Sequence, residues 1–301
     1  MENEILVTVL TPTYNRCSYL RKLLNSLLIQ TDLRFQWLVI DDGSTDGTFD
    51  FFKKNINNNK YPFVINYLRK KNGGKHIALN YAHKYIKGKY TVIVDSDDYL
   101  SKNAIKKIIQ AWKKYSFRDD IAEITFQRGT LRGKSFDTFL NGKGEYVSDI
   151  QTEMKKGFKG DHCETVRSDL FKNFQFPNFR DEKFIAEGAM WYLIARNKKV
   201  VYIDDVIYFA QYLEKGLTRS GRILQLKNPM GCQWHASVFL DPKLTFKVRF
   251  KNAILFSCYS SILNERLKDI HIEKEKIKIV KVTWLIGKLL SRYWKKKYRN
   301  L

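Results

Sequence analysis

Three carboxylates lie within four residues at Asp95-Ser96-Asp97-Asp98, directly behind the apolar run 90–94. Carboxylates this close repel one another unless a cation sits among them. A hard divalent ion such as Mn²⁺ or Mg²⁺ takes oxygen ligands and keeps positions open for diphosphate oxygens. The plain alternative is an acidic turn ahead of the helix that begins near Ser101. A second cluster, Asp41-Asp42-Gly43-Ser44-Thr45-Asp46-Gly47, has the composition of an ordinary turn. It also offers a carboxylate, Asp42 first, to the imide N–H of a uracil base. Thr11-Pro12-Thr13-Tyr14-Asn15-Arg16 supplies backbone groups and, in Tyr14, a ring on which a base can stack. Asn72-Gly73-Gly74-Lys75-His76 opens a helix whose N-terminus suits phosphate, with Lys75 adding charge. It is no Walker A loop, because the glycine spacing and the Lys-Ser/Thr ending are absent.

The elements that must position these clusters alternate. Compact apolar runs at 5–10, 35–40, 63–68 and 90–94 predict strands, the first stopped by Thr11-Pro12-Thr13. Between them, Leu20, Leu23, Leu24, Leu27 and Leu28 fall on one helical face. A short helix starts near Thr45, capped by Ser44 or Thr45. Further helices cover 75–86 and, capped by Ser101, 101–115. Apolar strands separated by helices describe a largely parallel, Rossmann-like α/β sheet covered on both faces. The polar clusters behind the first, second and fourth strands should then converge at its carboxyl edge. Beyond residue 121 the pattern loosens. Six glycines in 127–161 predict loops and irregular strands. A helix over 184–196 and strands at 200–203 and 206–212 follow, and from 244 the chain is helical in period and basic. The expected division is a domain of residues 1–225, with a ligand-binding half to 100 and a second half from 101, and a helical region over 226–301.

The segments TPTYNR, VIDDGSTDGT, NGGKHIALN and VDSDD, in this order and at these strand ends, closely resemble family 2 glycosyltransferases of the bacterial surface-glycan type. The resemblance is dense over residues 5–100 and thinner to about 220. It implies the GT-A fold and a nucleotide-diphosphate sugar, UDP-linked, as donor. Thr11, Pro12, Tyr14, Arg16, Asp42, Asn72, Gly74, Lys75, Asp95 and Ser96 would then bind the donor. Asp97 would be the principal ligand of Mn²⁺ or Mg²⁺, joined by Asp95 and supported by Asp98. Such enzymes need a carboxylate to take the acceptor proton, and the family often carries a Glu-Asp pair at a helix start. Glu187 is the positional match, but Gly188 stands where the second acid would be, and Asp161 is the rival. The plain alternative for Glu187 is an acid favoured by the helix dipole. Lys215 and Arg219 resemble a segment that closes over the donor phosphates; solvated basic residues are the alternative. The Q-x-x-R-W signature of processive synthases is missing. The implied reaction is inverting, non-processive transfer to a hydroxyl of a glycan, lipid-linked or polymer acceptor.

Composition narrows the field. Hydrophobic residues at 44% and aromatic ones at 14% exclude a disordered chain. Lys and Arg number 54 against 31 Asp and Glu, a net +23 that favours anionic partners. Residues 243–301 hold 16 of those bases against four acids. There Val282, Trp284, Leu285, Ile286, Leu289, Leu290 and Trp294 mix with Lys281, Lys288, Arg292 and Lys295–Lys297. This reads as an interfacial helix, or as one packed on its own core or on a second subunit. Cys17, Cys163, Cys232 and Cys258 are scattered, as in reduced proteins. With no apolar run of about 20 residues, the expected place is the cytoplasm, at the inner face of the cell membrane. A nucleotidyltransferase would need a Gly-rich basic loop where TPTYNR stands. No nucleic-acid module is visible. An inactive glycosyltransferase-like scaffold and a polyanion-binding protein stay as alternatives.

Overall fold

The computed structural model describes residues 4–56, 61–130, 134–136, 140, 142–158, 161–210 and 217–298, without the side chains of 55–56 and 217–220. Lys215 and the side chain of Arg219 therefore lie outside the described residues. The chain forms two compact units, one of residues 1–175 with 194–212 and one of 176–193 with 213–301. The sequence reading placed a single boundary at 225 instead.

The first unit is built on a sheet of nine strands among the described residues. β1 (Val7–Thr13), β2 (Phe35–Asp41), β3 (Val64–Arg69) and β4 (Tyr90–Ile93) lie in the order β3-β2-β1-β4, all parallel. β1 and β2 are buried along their whole length, which explains their largely apolar character; the buried Thr8 and Gln36 satisfy each other. β1 continues to Thr13, three residues past the expected stop, because Thr11, Pro12 and Thr13 still pair with Val39, Ile40 and Asp41. Pro12 costs no ladder bond there. Thr13 turns its carbonyl to Asp42 and Leu10 turns its own to Val94, so alternation aims position 12 towards β4, whose pairing ends at Leu10.

α1 (Cys17–Leu28) buries Leu20, Leu23, Leu24 and Leu27, whereas Leu28, expected on the same face, is exposed. Gln30 joins it to α4 (Ala104–Lys114): its amide donates to the Ser26 and Ser101 carbonyls and accepts from the Ile105 N–H. α2 (Thr48–Ile56) starts later than expected, and Asp46 rather than Ser44 or Thr45 binds the Thr48 N–H. α3 (Lys75–Ala82) ends in a 3₁₀ turn over His83–Tyr85. Ser101 is no side-chain cap; α4 begins after Asn103, and Ser101 supplies a carbonyl to the Ala104 N–H.

The other half of the sheet carries β5 (Tyr99–Leu100), β6 (Ile121–Gly129), β7 (Glu145–Ser148), β8 (Cys163–Arg167) and β9 (Lys199–Phe209). β8 runs antiparallel between β4 and β6, and β6 is parallel to β9. The two strands expected at 200–203 and 206–212 are one strand, whose pairing with β6 shifts register at Thr125/Gln127 and Gln127/Arg128. α5 (Ile150–Lys156), capped by Asp149, and α6 (Ser168–Asn173) complete the unit.

Where a helix was expected from 184, α7 (Gly188–Ala195) begins four residues later. In the second unit, Glu182 accepts from the Met230 and Gly231 N–H groups at the start of α9 (Pro229–Val238), which follows α8 (Leu217–Leu226). α10 (Phe246–Ile262) and α11 (Lys274–Lys297) pack closely. A Cβ on Gly287 of α11 would stand 2.4 Å from the Ser257 Cβ of α10, so only glycine permits this approach. None of the described helices is long and apolar enough to cross a membrane.

Candidate functional site

The chain leaves β1 for β2 and β3 on one side and returns to β4 on the other, so the topological switch point lies between β1 and β4. Ligands in open α/β sheets bind in the crevice at the carboxyl ends of such strands. Four loops stand at that edge, and side chains clasp them together.

The clasp starts at Asn15, the residue after Tyr14, which adopts the left-handed conformation (φ 52°). Its N–H donates to Ser44 Oγ (2.9 Å) and its Oδ1 accepts from the Thr45 N–H (2.7 Å). Asp46 Oδ2 accepts from the Cys17 N–H (2.9 Å). These bonds, with a longer one from the Thr45 hydroxyl to Asn15 Oδ1 (3.4 Å), tie the loops behind β1 and β2 together. Asp41 is fully buried and stays within its own turn and β3: it accepts from the Ser44 N–H and from the Tyr67 hydroxyl (2.5 Å).

Asp42 holds the loop behind β3. Its Oδ1 accepts from Lys70 Nζ (2.6 Å) and the Gly73 N–H (2.9 Å). Its Oδ2 accepts from the Gly74 N–H (2.7 Å) and Asn72 Nδ2 (3.1 Å). Four donors fill the acceptor capacity of one carboxylate. A Cβ on Gly43 would reach the Asn72 backbone nitrogen at 3.0 Å, and its φ of 85° also requires glycine. Gly74 stands at the N-cap of α3.

Lys75, the first residue of α3, crosses to the acidic turn, where its Nζ lies 2.5 Å from Asp95 Oδ1. Arg128 on β6 takes Asp98, with Nη2 at 2.7 Å from Oδ2, and approaches Asp95 Oδ2 at 4.0 Å. Tyr208 on β9 lies beneath: its ring carries the Arg128 guanidinium at 4.2 Å, and its hydroxyl donates to Asp98 Oδ2 (2.7 Å) and accepts from the Asp95 N–H (3.1 Å). Burial alone would raise Asp95, but Lys75 and Arg128 outweigh it and hold the carboxyl below its ordinary range. Burial, and then the Asp95 charge, push Asp98 up to about 6. The same two causes raise Asp97. Among the described residues no side chain forms an ion pair or a hydrogen bond with Asp97, whose carboxyl is eased only by a backbone N–H and by the more distant charges of Arg16 and Lys75. Lys75 pairs with Asp95 and Arg128 with Asp98, so of the three acids Asp97 is the one without a direct cationic partner.

The remaining expected residues are placed as follows. Thr11 and Pro12 are buried strand residues, and the Thr11 hydroxyl accepts from the Trp37 indole (3.1 Å). Tyr14 is 48% exposed at the lip of the first loop, Arg16 is half-buried near Tyr19, and Ser96 is buried in the acidic turn. Asp161 is exposed just before β8. Glu187 belongs to the second unit, in the turn that starts α7; it is half-buried, and its carbonyl accepts from the Met190 and Trp191 N–H groups. Lys70, Arg128 and Tyr208 were not foreseen. A signal for Arg128 existed: it follows Ile124 and Phe126 on the core-facing side of β6, a charge where the alternation calls for an apolar residue.

The other face of β6 holds a second acid. Glu123 is buried, with one oxygen taking the Thr125 hydroxyl (2.6 Å) and Oε2 unpaired. Glu164 lies diagonally across on β8, opposite Thr125. Burial pushes Glu123 up to about 7, and burial with the Glu123 charge raises Glu164 further. An acid whose pKa rises on folding stabilises the folded state fully below its unfolded value, about 4.3, and that contribution disappears as pH climbs through the folded one. Glu123→Gln, which mimics the protonated form, should therefore raise unfolding free energy by about 1–3 kcal/mol at pH 8 and little at pH 5. Urea denaturation at both pH values checks this; equal effects at the two would contradict it.

The sequence model of glycosyl transferase family 2 matches residues 8–174. The chain is 27% identical to the glycosyltransferase MG060 of Mycoplasma genitalium over 98% of both chains. It is 27% identical to the minor teichoic acid biosynthesis protein GgaB of Bacillus subtilis, over 69% of this chain. It spans 37% of the length of MG025, a second M. genitalium glycosyltransferase, and 23% of that of GgaB. The fold is similar to that of Staphylococcus aureus TarS in complex with UDP-GlcNAc, with a TM-score of 0.63 at 20% identity, covering 94% of this chain and 79% of that one. This is the GT-A architecture, followed here by a helical C-terminal region.

Proposed function

The chain belongs to glycosyl transferase family 2, and from that premise we propose that it moves a sugar from a UDP-sugar to an acceptor hydroxyl with inversion at the anomeric carbon. The observation that carries this reading is Asp97 at the switch-point crevice, which no ion pair among the described residues engages, while Lys75 and Arg128 are committed to its neighbours. Such a site would suit a divalent cation, held by Asp97 with Asp95. Asp97, with Asp95 beside it, would offer hard carboxylate oxygens, while the described residues contain no group of three side chains placed to hold a metal ion. Mg²⁺ or Mn²⁺ bound by one or two carboxylates takes its remaining ligands from water and substrate phosphates. When bound it would screen the charge of the leaving diphosphate.

The chain's own residues do the rest. Tyr14 offers a ring to the base, and the Asp42 clasp fixes the Asn72–Gly74 loop beside it. The likeness to TarS supports uridine as the nucleoside. Glu187, with Asp161 as the rival, takes the acceptor proton. The likeness to GgaB supports a bacterial surface polymer or its lipid-linked precursor as acceptor, met at the inner face of the membrane, with one sugar added per encounter.

Calorimetric titration of UDP and GDP, with Mn²⁺ or with chelator, on wild type and Asp97→Ala tests the donor half. UDP should bind with metal, and affinity should fall about 10- to 100-fold on chelation or on Asp97→Ala. A preference for GDP, or UDP binding indifferent to both changes, would overturn the reading.

A further inference from the structure

α11 exposes a face that its own fold leaves uncovered. Val282, Leu285, Ile286, Leu289 and Tyr293 are 73%, 67%, 46%, 55% and 56% exposed. Their spacing of three, four, seven and eleven residues from Val282 puts all five on one side of the helix. Ile279, Val280, Thr283, Gly287, Ser291 and Trp294 occupy the opposite, buried side against the rest of the unit. The stripe is thus not the packing face of the helix. Lys281, Lys288 and Arg292, all exposed, run along its edge. Over its 24 residues α11 carries nine Lys and Arg against the single acid Glu275.

Next to the stripe lies an apolar groove of about 510 Å³ between α10 and α11, lined by Phe246, Phe250, Ile254 and Leu290 among others, with Lys247 and Lys251 at its sides. Phe246 is 69% exposed and packs on Phe250 at 5.5 Å. Leucines, an open aromatic groove and a flank of cations therefore share one surface.

Charge decides the occupant. A second copy of the chain would set one strongly basic helix against another, with no acids on α11 to answer them beyond Glu275. A nucleic acid would satisfy the lysines and leave the leucines and isoleucine in water. A bilayer containing anionic lipid satisfies both, since acyl chains take the apolar stripe while phosphate headgroups take the flanking bases. We infer that the α10–α11 surface docks on an anionic phospholipid bilayer, with α11 lying in the plane of the interface and the groove receiving acyl chain.

Vesicle flotation of the full chain tests this. Wild type should float with phosphatidylcholine vesicles containing about 30 mol% phosphatidylglycerol, and not with phosphatidylcholine alone. Leu285→Glu/Leu289→Glu should weaken that binding about 10-fold or more, and Lys281→Glu/Lys288→Glu/Arg292→Glu should do the same. All five positions are exposed, so circular dichroism and donor hydrolysis without vesicles should match wild type in both variants. Absence of wild-type binding to the anionic vesicles would overturn the proposal, as would undiminished binding in both variants. So would a stable dimer in sedimentation velocity that Leu285→Glu/Leu289→Glu dissociates.

Discussion

Glu187→Gln is expected to reduce the transfer kcat about 10³-fold while leaving the Kd for UDP unchanged. The amide keeps the shape of the side chain and loses the basicity, so what disappears is a proton acceptor. Glu187 springs from a turn whose carbonyl is fixed by the Met190 and Trp191 N–H groups, and a proton acceptor needs that constancy of position. Asp161 stands exposed at the mouth of β8, and Asp161→Asn should change kcat by no more than about threefold. Single-turnover transfer and UDP titration on the two variants separate the roles. The reverse pattern would assign the proton to Asp161. No effect from either would remove both acids from the mechanism.

Asp42→Ala should destabilise the protein by about 3–5 kcal/mol, because it leaves Lys70 and the Gly73 and Gly74 N–H groups facing a void. Lys70 is 13% exposed in its side chain, so water reaches it poorly. With about 2–4 °C per kcal/mol for a chain of this size, the melting temperature should fall by roughly 6–20 °C. Asp42→Asn is also expected to be harmful: its amide nitrogen must confront at least one of the donors the carboxylate accepted. Calorimetric melting with and without UDP reads the outcome. An Asp42→Asn protein that melts like wild type and has lost UDP affinity would mean that the carboxylate serves the base directly. Loss of both together would mean that it serves through the loop it holds.

Much of the sheet and the acidic edge was legible because burial on both faces leaves compact, mostly apolar runs, and 35–40 and 90–94, broken only by Gln36 and Thr91, are such runs. What escaped notice did so for physical reasons. β8 reads Cys-Glu-Thr-Val-Arg, and the glutamate and arginine disguise a short strand whose pairing with β4 and β6 fixes it. β9 looked like two strands because Asp204-Asp205 interrupts it, yet the register shifts against β6 absorb the interruption. α9 has little helical periodicity, since Gly231, Cys232, Ala236 and Val238 are buried while its N-terminus depends on the distant Glu182. At the site, local acids and glycines signalled themselves. Arg128 and Tyr208 act from strands far along the chain, so their meaning depends on pairing that a linear reading does not contain.

Pro12 has a wider consequence. Past Leu10 the two strands that flank the crevice part company: β1 stays with β2 to Thr13, while Asp95 turns its N–H to the Tyr208 hydroxyl. A proline at the fork brings no hydrogen with which the strands could knit shut, so their separation leaves no N–H of residue 12 unsatisfied. The covalent structure of one residue thus removes a bond that could have closed the fork, and the edge of the crevice is written into the chain before any ligand arrives.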